Sequence, residues 1–254
     1  MTLPAGIEAL PDIATIAAHL EGLEETIISK LIDRGQFAQN LIIYQPGKSG
    51  FDGAGGRSLL EVRLRRHEEM DAEFGRFRVP EERPVFKDLP LPRRQTQPPP
   101  PYLAIDDFEQ VNLSEGIVAA YRTLIPELCL PGDDGHYGSS CEHDVFAIQA
   151  LGRRVHFGAL YVAESKYSAD PGSYDELIDR EDVEAIIEQL TRPEVEERIL
   201  DRVARKVEHL QSRINTAVRR RIPAEAVNRF YREHIIPLTK QGEAAYLLHR
   251  RRPG

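Results

Sequence analysis

Cysteine occurs only twice in the 254 residues. Cys129 and Cys141 fit no CxxC or zinc-ligand spacing, so the chain has no disulfide framework and no cysteine-built metal site to read. So sparse a usage suits a reducing compartment and predicts a cytoplasmic protein. Long apolar runs are missing as well. Runs such as those around residues 128–131 and 145–148 fall far short of the ~20 residues that span a bilayer. A surplus of positive charge is also lacking. With a net charge of -8 and a pI near 5.6, the chain is repelled by a phosphate backbone, which argues against nucleic acid as a partner. Two short basic runs, residues 219–221 and 250–252, read as solvated helix flanks. The first dozen residues carry neither Arg nor Lys and no apolar stretch, so no targeting segment is expected.

What is present is helical periodicity. A chain of this length buries roughly three-quarters of its unfolded surface and needs no staple. Ile13, Ile16, Leu20, Leu23, Ile27 and Leu31 recur three or four apart, which predicts one long helix over 12–40. Residues 45–56 hold five glycines and a proline and read as a loop. Ser58 and Glu61 form a capping box for a second helix that stops before Pro80. Residues 80–101 contain eight of the eighteen prolines, too many for helix or central strand, and read as an extended crossover. The helical period returns over 117–128 and, after the loop at 131–138, over 139–167. One or two short helices fit 175–190. Pro193 opens another through Gln211, and Pro223 opens the last, with a kink at Pro237. No segment alternates as a half-buried strand does. The expected fold is all-α, one single-domain bundle of many helices over 1–254.

The familiar chemical motifs fail. Gly47-Lys48-Ser49 ends like a phosphate-binding loop, but Ile42 stands where that motif needs glycine. The histidine at 67 has no second histidine four residues on, and the eight histidines show no ligand spacing, so neither metal nor cofactor is expected. The remaining signal is charge set in apolar helical context late in the chain: Arg153, Arg154, Lys166, Glu196 and Glu243. Arg192 and Glu196 share a helix face, as do Thr239 and Glu243. Two readings stand: solvent-facing charges on amphipathic helices, or a polar pocket inside a bundle with cations for an anionic ligand.

At these residues the sequence resembles the eukaryotic-type, all-helical chorismate mutases of fungi and plants. The likeness lies in five ordered blocks: residues 23–34 (LEETIISKLIDR), 80–86 (PEERPVF), 131–135 (PGDDG), 150–158 (ALGRRVHFG), and 235–240 (IIPLTK) with 246–248 (YLL). The resemblance implies a homodimer that rearranges dianionic chorismate to prephenate with no cofactor. It implies Arg154 on a substrate carboxylate, Lys166 at the ether oxygen and a carboxylate, and Glu196 at the ring hydroxyl. Glu243 would donate to the ether oxygen, with Thr239 and Lys240 on the same wall. Alternatives within this likeness are a diverged relative acting on another chorismate-like substrate and a catalytically silent binding or regulatory protein.

Departures from the family pattern carry expectations of their own. Ala17 stands at the family's first-helix arginine, and no arginine precedes Arg34. Arg192 replaces an asparagine and is a further candidate for substrate binding. Residues 158–164 run one residue longer than the family's, which would turn Lys166 by ~100° unless a π-bulge absorbs the extra residue. Arg76, Gly138 and Ser139 match parts of the family's site for aromatic amino-acid effectors, whereas Gly75 and Glu142 do not, so weakened or absent effector control is expected.

Overall fold

The computed structural model describes residues 9–96 and 102–251. Prolines 98–101 of the crossover and Arg252 of the second basic run lie outside the described residues. Among the described residues ten α-helices follow one another: α1 (Ile13–Arg34), α2 (Leu59–Glu73), α3 (Ser114–Leu128), α4 (Tyr137–Phe157), α5 (Ala163–Ala169), α6 (Gly172–Asp179), α7 (Val183–Leu190), α8 (Pro193–Gln211), α9 (Ala224–Phe230) and α10 (Ile236–His249). Two π-helical segments, Gly158–Val162 and Tyr231–Ile235, join α4 to α5 and α9 to α10 without a break. Among the described residues there is no strand, only an isolated bridge between Ala38 and Leu130. None of the described helices is long and apolar enough to cross a membrane.

The ends of the elements follow from local chemistry. Asp12 caps α1 by accepting from the Thr15 amide at 2.7 Å. The Ser58–Glu61 capping box forms in both directions, and all five glycines of the loop before it take positive φ. Pro193 occupies the first turn of α8, where its missing N–H costs no hydrogen bond. The expectation that α1 runs to Asn40 is corrected. The helix stops at Arg34, because the chain must turn there to give Arg34 its partners: the guanidinium donates to the carbonyls of Ala38 and Gln39. The helices expected from 117, 139 and 175 start earlier, at Ser114, Tyr137 and Gly172. Short 3₁₀ turns at Leu41–Tyr44, Arg76–Arg78 and Phe108–Val111 carry too few residues to show a period.

Two clusters of buried side chains make the core. One gathers α1, α2, α3, α4, α8 and α9; the other packs the start of α1 with the first π segment, α5, α6, α7 and α10. Through the first cluster runs a fully buried polar network. Arg34 and Asp144, both with no exposure, meet at 2.6 Å. Tyr44 and Tyr121 each donate a hydroxyl to the same carboxylate, at 2.8 and 2.6 Å. The pair ties the end of α1 to α4, and its hydrogen bonds compensate the desolvation that an isolated buried charge would suffer. Asp144→Ala leaves Arg34 buried without a counter-charge. It is expected to lower unfolding free energy by about 3–5 kcal/mol in urea denaturation, whereas an unchanged midpoint would remove the network from the stability account.

Candidate active site

A cavity of about 650 Å³ lies where α1, α4, α5, α8 and α10 converge. Arg154 of α4, Lys166 of α5, Glu196 of α8, and Thr239, Lys240 and Glu243 of α10 all line it, with Arg192 at the cap of α8. The seven pocket residues expected from the sequence therefore share one cavity. Ala17 lines it too, beside Ile13, Ala14, Ile16 and Leu20, so the α1 wall offers no cation.

Two helix irregularities aim these side chains. The π segment Gly158–Val162 takes up one residue without the full α rotation, so Lys166 faces the cavity as Arg154 does. The second, Tyr231–Ile235, ends with the Ile236 amide donating to the Tyr231 carbonyl, just before Pro237, which has no N–H to donate. The kink expected at Pro237 is thus taken as a π turn. The first irregular stretch packs closely on α10. A Cβ on Gly158 would meet Thr239 Cγ2 at 2.7 Å, and one on Gly242 would meet Ala159 Cβ at 2.6 Å, so glycine at both positions lets α10 approach.

Hydrogen bonds fix most of the charged groups. Arg154 donates from Nη1 to Thr239 Oγ1 at 2.8 Å, and Thr239 donates to the Ile235 carbonyl at 2.7 Å. The Nε of Arg154 is buried with no partner in the protein. Lys166 Nζ lies 2.9 Å from both Glu243 Oε2 and the Leu190 carbonyl. Lys240 Nζ donates to Glu196 at 3.0 Å. Arg192 turns its Nη1 to the carbonyls of Gln189 and Thr191, at 2.8 and 2.9 Å, and so closes the turn from α7 to α8.

Glu243 is the residue whose ionisation the fold alters. Burial raises its carboxyl above the ordinary carboxylate range, and Lys166, Arg154 and Lys240 offset that only in part. The dry wall behind it explains why: Glu243 is 5% exposed and Thr239 7%. Since Lys166 pulls the proton affinity down, Lys166→Met is expected to raise it further. Carboxyl NMR titration of the two proteins checks this; a downward movement would contradict the assigned cause.

The effector-type residues are not gathered in one place within the chain. Arg76 donates to Asp71, Glu82 and Gln149 at 2.7–3.0 Å, while Gly138 and Ser139 sit in the first turn of α4. Gly138 and Gln149 are eleven residues apart on one helix, roughly 16 Å along its axis. Gly138 instead borders a second cavity of about 380 Å³ with Phe51, Arg63 and Met70.

Three charged residues of the cavity are not among the site residues of the sequence analysis: Glu21, Arg198 and Arg202. Arg202 donates twice to Glu24, which has no exposure, and pairs with Glu21 at 3.1 Å. The signal was the spacing Val195, Arg198, Arg202, three and four apart on the face of α8 that meets α1. Among the described residues no group of three or more His, Cys, Asp or Glu side chains gathers as metal ligands.

A cation-lined cavity inside a helical bundle, with one buried carboxyl whose proton affinity burial raises, defines an all-helical protein with a polar internal pocket. Comparison with known proteins narrows that class. No family model matches the chain. The chloroplastic chorismate mutase 1 of Arabidopsis thaliana is 34% identical over 89% of this chain and 71% of its own length. The chorismate mutase of Saccharomyces cerevisiae is 33% identical over 96% of both. Among solved structures, a Candida albicans chorismate mutase in complex with L-tryptophan superposes with a TM-score of 0.87 at 31% identity, covering 94% of this chain and 91% of its own. The chloroplast enzyme of Zea mays gives 0.84 at 32% identity over 97% of each. The chain belongs to the chorismate mutase family.

Proposed function

We propose that this chain rearranges chorismate to prephenate in the α1–α4–α5–α8–α10 cavity. The observation that carries the reading is the convergence of Arg154, Lys166, Glu196, Thr239, Lys240 and Glu243 on that one cavity. The reaction is unimolecular: one carbon–oxygen bond breaks as one carbon–carbon bond forms, and no atom is gained or lost. The protein's task is to hold the dianion folded and to stabilise the charge that develops on the ether oxygen.

Arg154 binds a substrate carboxylate through the donors it does not spend on Thr239. Lys166 and Glu243, 2.9 Å apart, both address the ether oxygen, Lys166 as a cation and Glu243 as a protonated donor. Donors aimed there bind the transition state more strongly than the ground state, because the oxygen gains negative charge as the bond breaks. Glu196, held by Lys240, accepts from the ring hydroxyl. A second reading, action on a different chorismate-like substrate, draws on Ala17, which leaves the α1 wall without a cation.

The same proposal keeps the protein a cytoplasmic homodimer. Support for a partner copy is the exposed apolar set Phe51, Met70 and Phe74, the last two on adjacent turns of one face. Relatives include both chloroplastic and cytosolic enzymes. Aromatic amino-acid control is weak in this reading. Arg76 is spent on Asp71 and Glu82, and Glu142, paired with Arg63, places a carboxylate one turn beyond Gly138 and Ser139.

Only the acid form of Glu243 donates. Its folded-state proton affinity is raised, so turnover is expected to fall as pH rises through that raised value. Glu243→Gln keeps a donor at every pH and should flatten the decline. Chorismate turnover by both proteins between about pH 5 and 9 checks this, and identical profiles would remove Glu243 from the mechanism.

A further inference from the structure

Cations outnumber carboxylates around the cavity. Arg154, Lys166, Arg192, Arg198, Arg202 and Lys240 line it, against Glu21, Glu196 and Glu243. Most of these cations are already engaged. Lys166 is held by Glu243, Lys240 by Glu196, and Arg202 by Glu21 and Glu24. Arg192 caps carbonyls of the α7–α8 turn. Arg154 is anchored to Thr239 and keeps a free Nε on the α4 side. Arg198 differs from all of them: among the described residues it has no hydrogen-bond or ion-pair partner.

Its position gives that freedom a use. Arg198 follows Val195 by three residues and precedes Arg202 by four, so it stands on the α8 face that meets α1 and borders the cavity. Opposite it, the α1 wall of Ile13, Ala14, Ile16 and Ala17 supplies no donor. A ligand with two carboxylates that lodges one on Arg154 needs a second cation across the cavity. The five-donor fork of an unengaged arginine fits a carboxylate in bidentate fashion. We propose that Arg198 is the second carboxylate-binding residue of this cavity, closing over the dicarboxylate from α8. The inference rests on the chorismate reading for the ligand's chemistry. Arg198 is exposed when the cavity is empty, so its contribution is open to screening by salt.

Calorimetric binding of prephenate, alongside chorismate turnover, tests this. Arg198→Ala is expected to weaken prephenate binding about tenfold and to raise KM similarly, with a smaller change in kcat. Arg198→Lys should recover part of the loss, since it restores charge without the fork. The loss between wild type and Arg198→Ala should shrink as salt is added. Arg205→Ala removes an exposed arginine of the same helix that does not line the cavity, and it should match the wild type. Prephenate affinity of Arg198→Ala within twofold of wild type overturns the inference. Prephenate binding that depends on Arg198 without chorismate turnover overturns the functional reading and leaves this one standing. Absence of prephenate binding by the wild type overturns both.

Discussion

An α-helix turns each residue by ~100°, so one extra residue ahead of a functional side chain swings it off its face. Two π turns decide where this protein's chemistry points. Gly158–Val162 precedes α5 and Lys166; Tyr231–Ile235 precedes α10 with Thr239, Lys240 and Glu243. The first of them packs on α10 where Gly158 and Gly242 allow close approach. The site is therefore built by register more than by loops. Its side chains project from long, buried helices whose packing fixes them before any ligand arrives.

That rigidity depends on charge held out of water. Arg34 with Asp144, and Arg202 with Glu24, bind α1 to α4 and α8 through pairs with at least one partner fully buried. A buried pair adds little net stability over an apolar one, yet breaking it is costly, which makes the helix arrangement specific. Around the cavity the same logic works by degrees. Lys166 and Lys240 are held by carboxylates that keep them oriented, Arg154 keeps a donor free, and burial raises the proton affinity of Glu243. Cations and a carboxyl of raised proton affinity thus share one volume, the combination that the proposed rearrangement uses.

Much of the fold was legible because helix ends carry their own chemistry. Both bounds of α8 followed from Pro193 and the apolar period, and the start of α2 from Ser58 and Glu61. The end of α1 was not, because it is dictated by the distant partners of Arg34: Asp144 is 110 residues away and pairs only in the folded state. The pocket residues Arg154, Lys166, Glu196 and Glu243 were legible as charges in apolar helical context, and their roles came from the family resemblance. Arg198 was not, because on a helix rich in Glu and Arg a free cation and a paired one look alike in sequence. The extra residue before Lys166 was visible as a register problem, and the π turn is its physical answer.

What is at stake is whether this cavity, with no cation on its α1 wall, performs the rearrangement. The most direct measurement follows loss of chorismate by the purified wild-type protein and identifies the product. The account predicts prephenate as the sole product, formed far above the uncatalysed rate with no metal or cofactor added. Chorismate consumed at the uncatalysed rate, or a product other than prephenate, would contradict it.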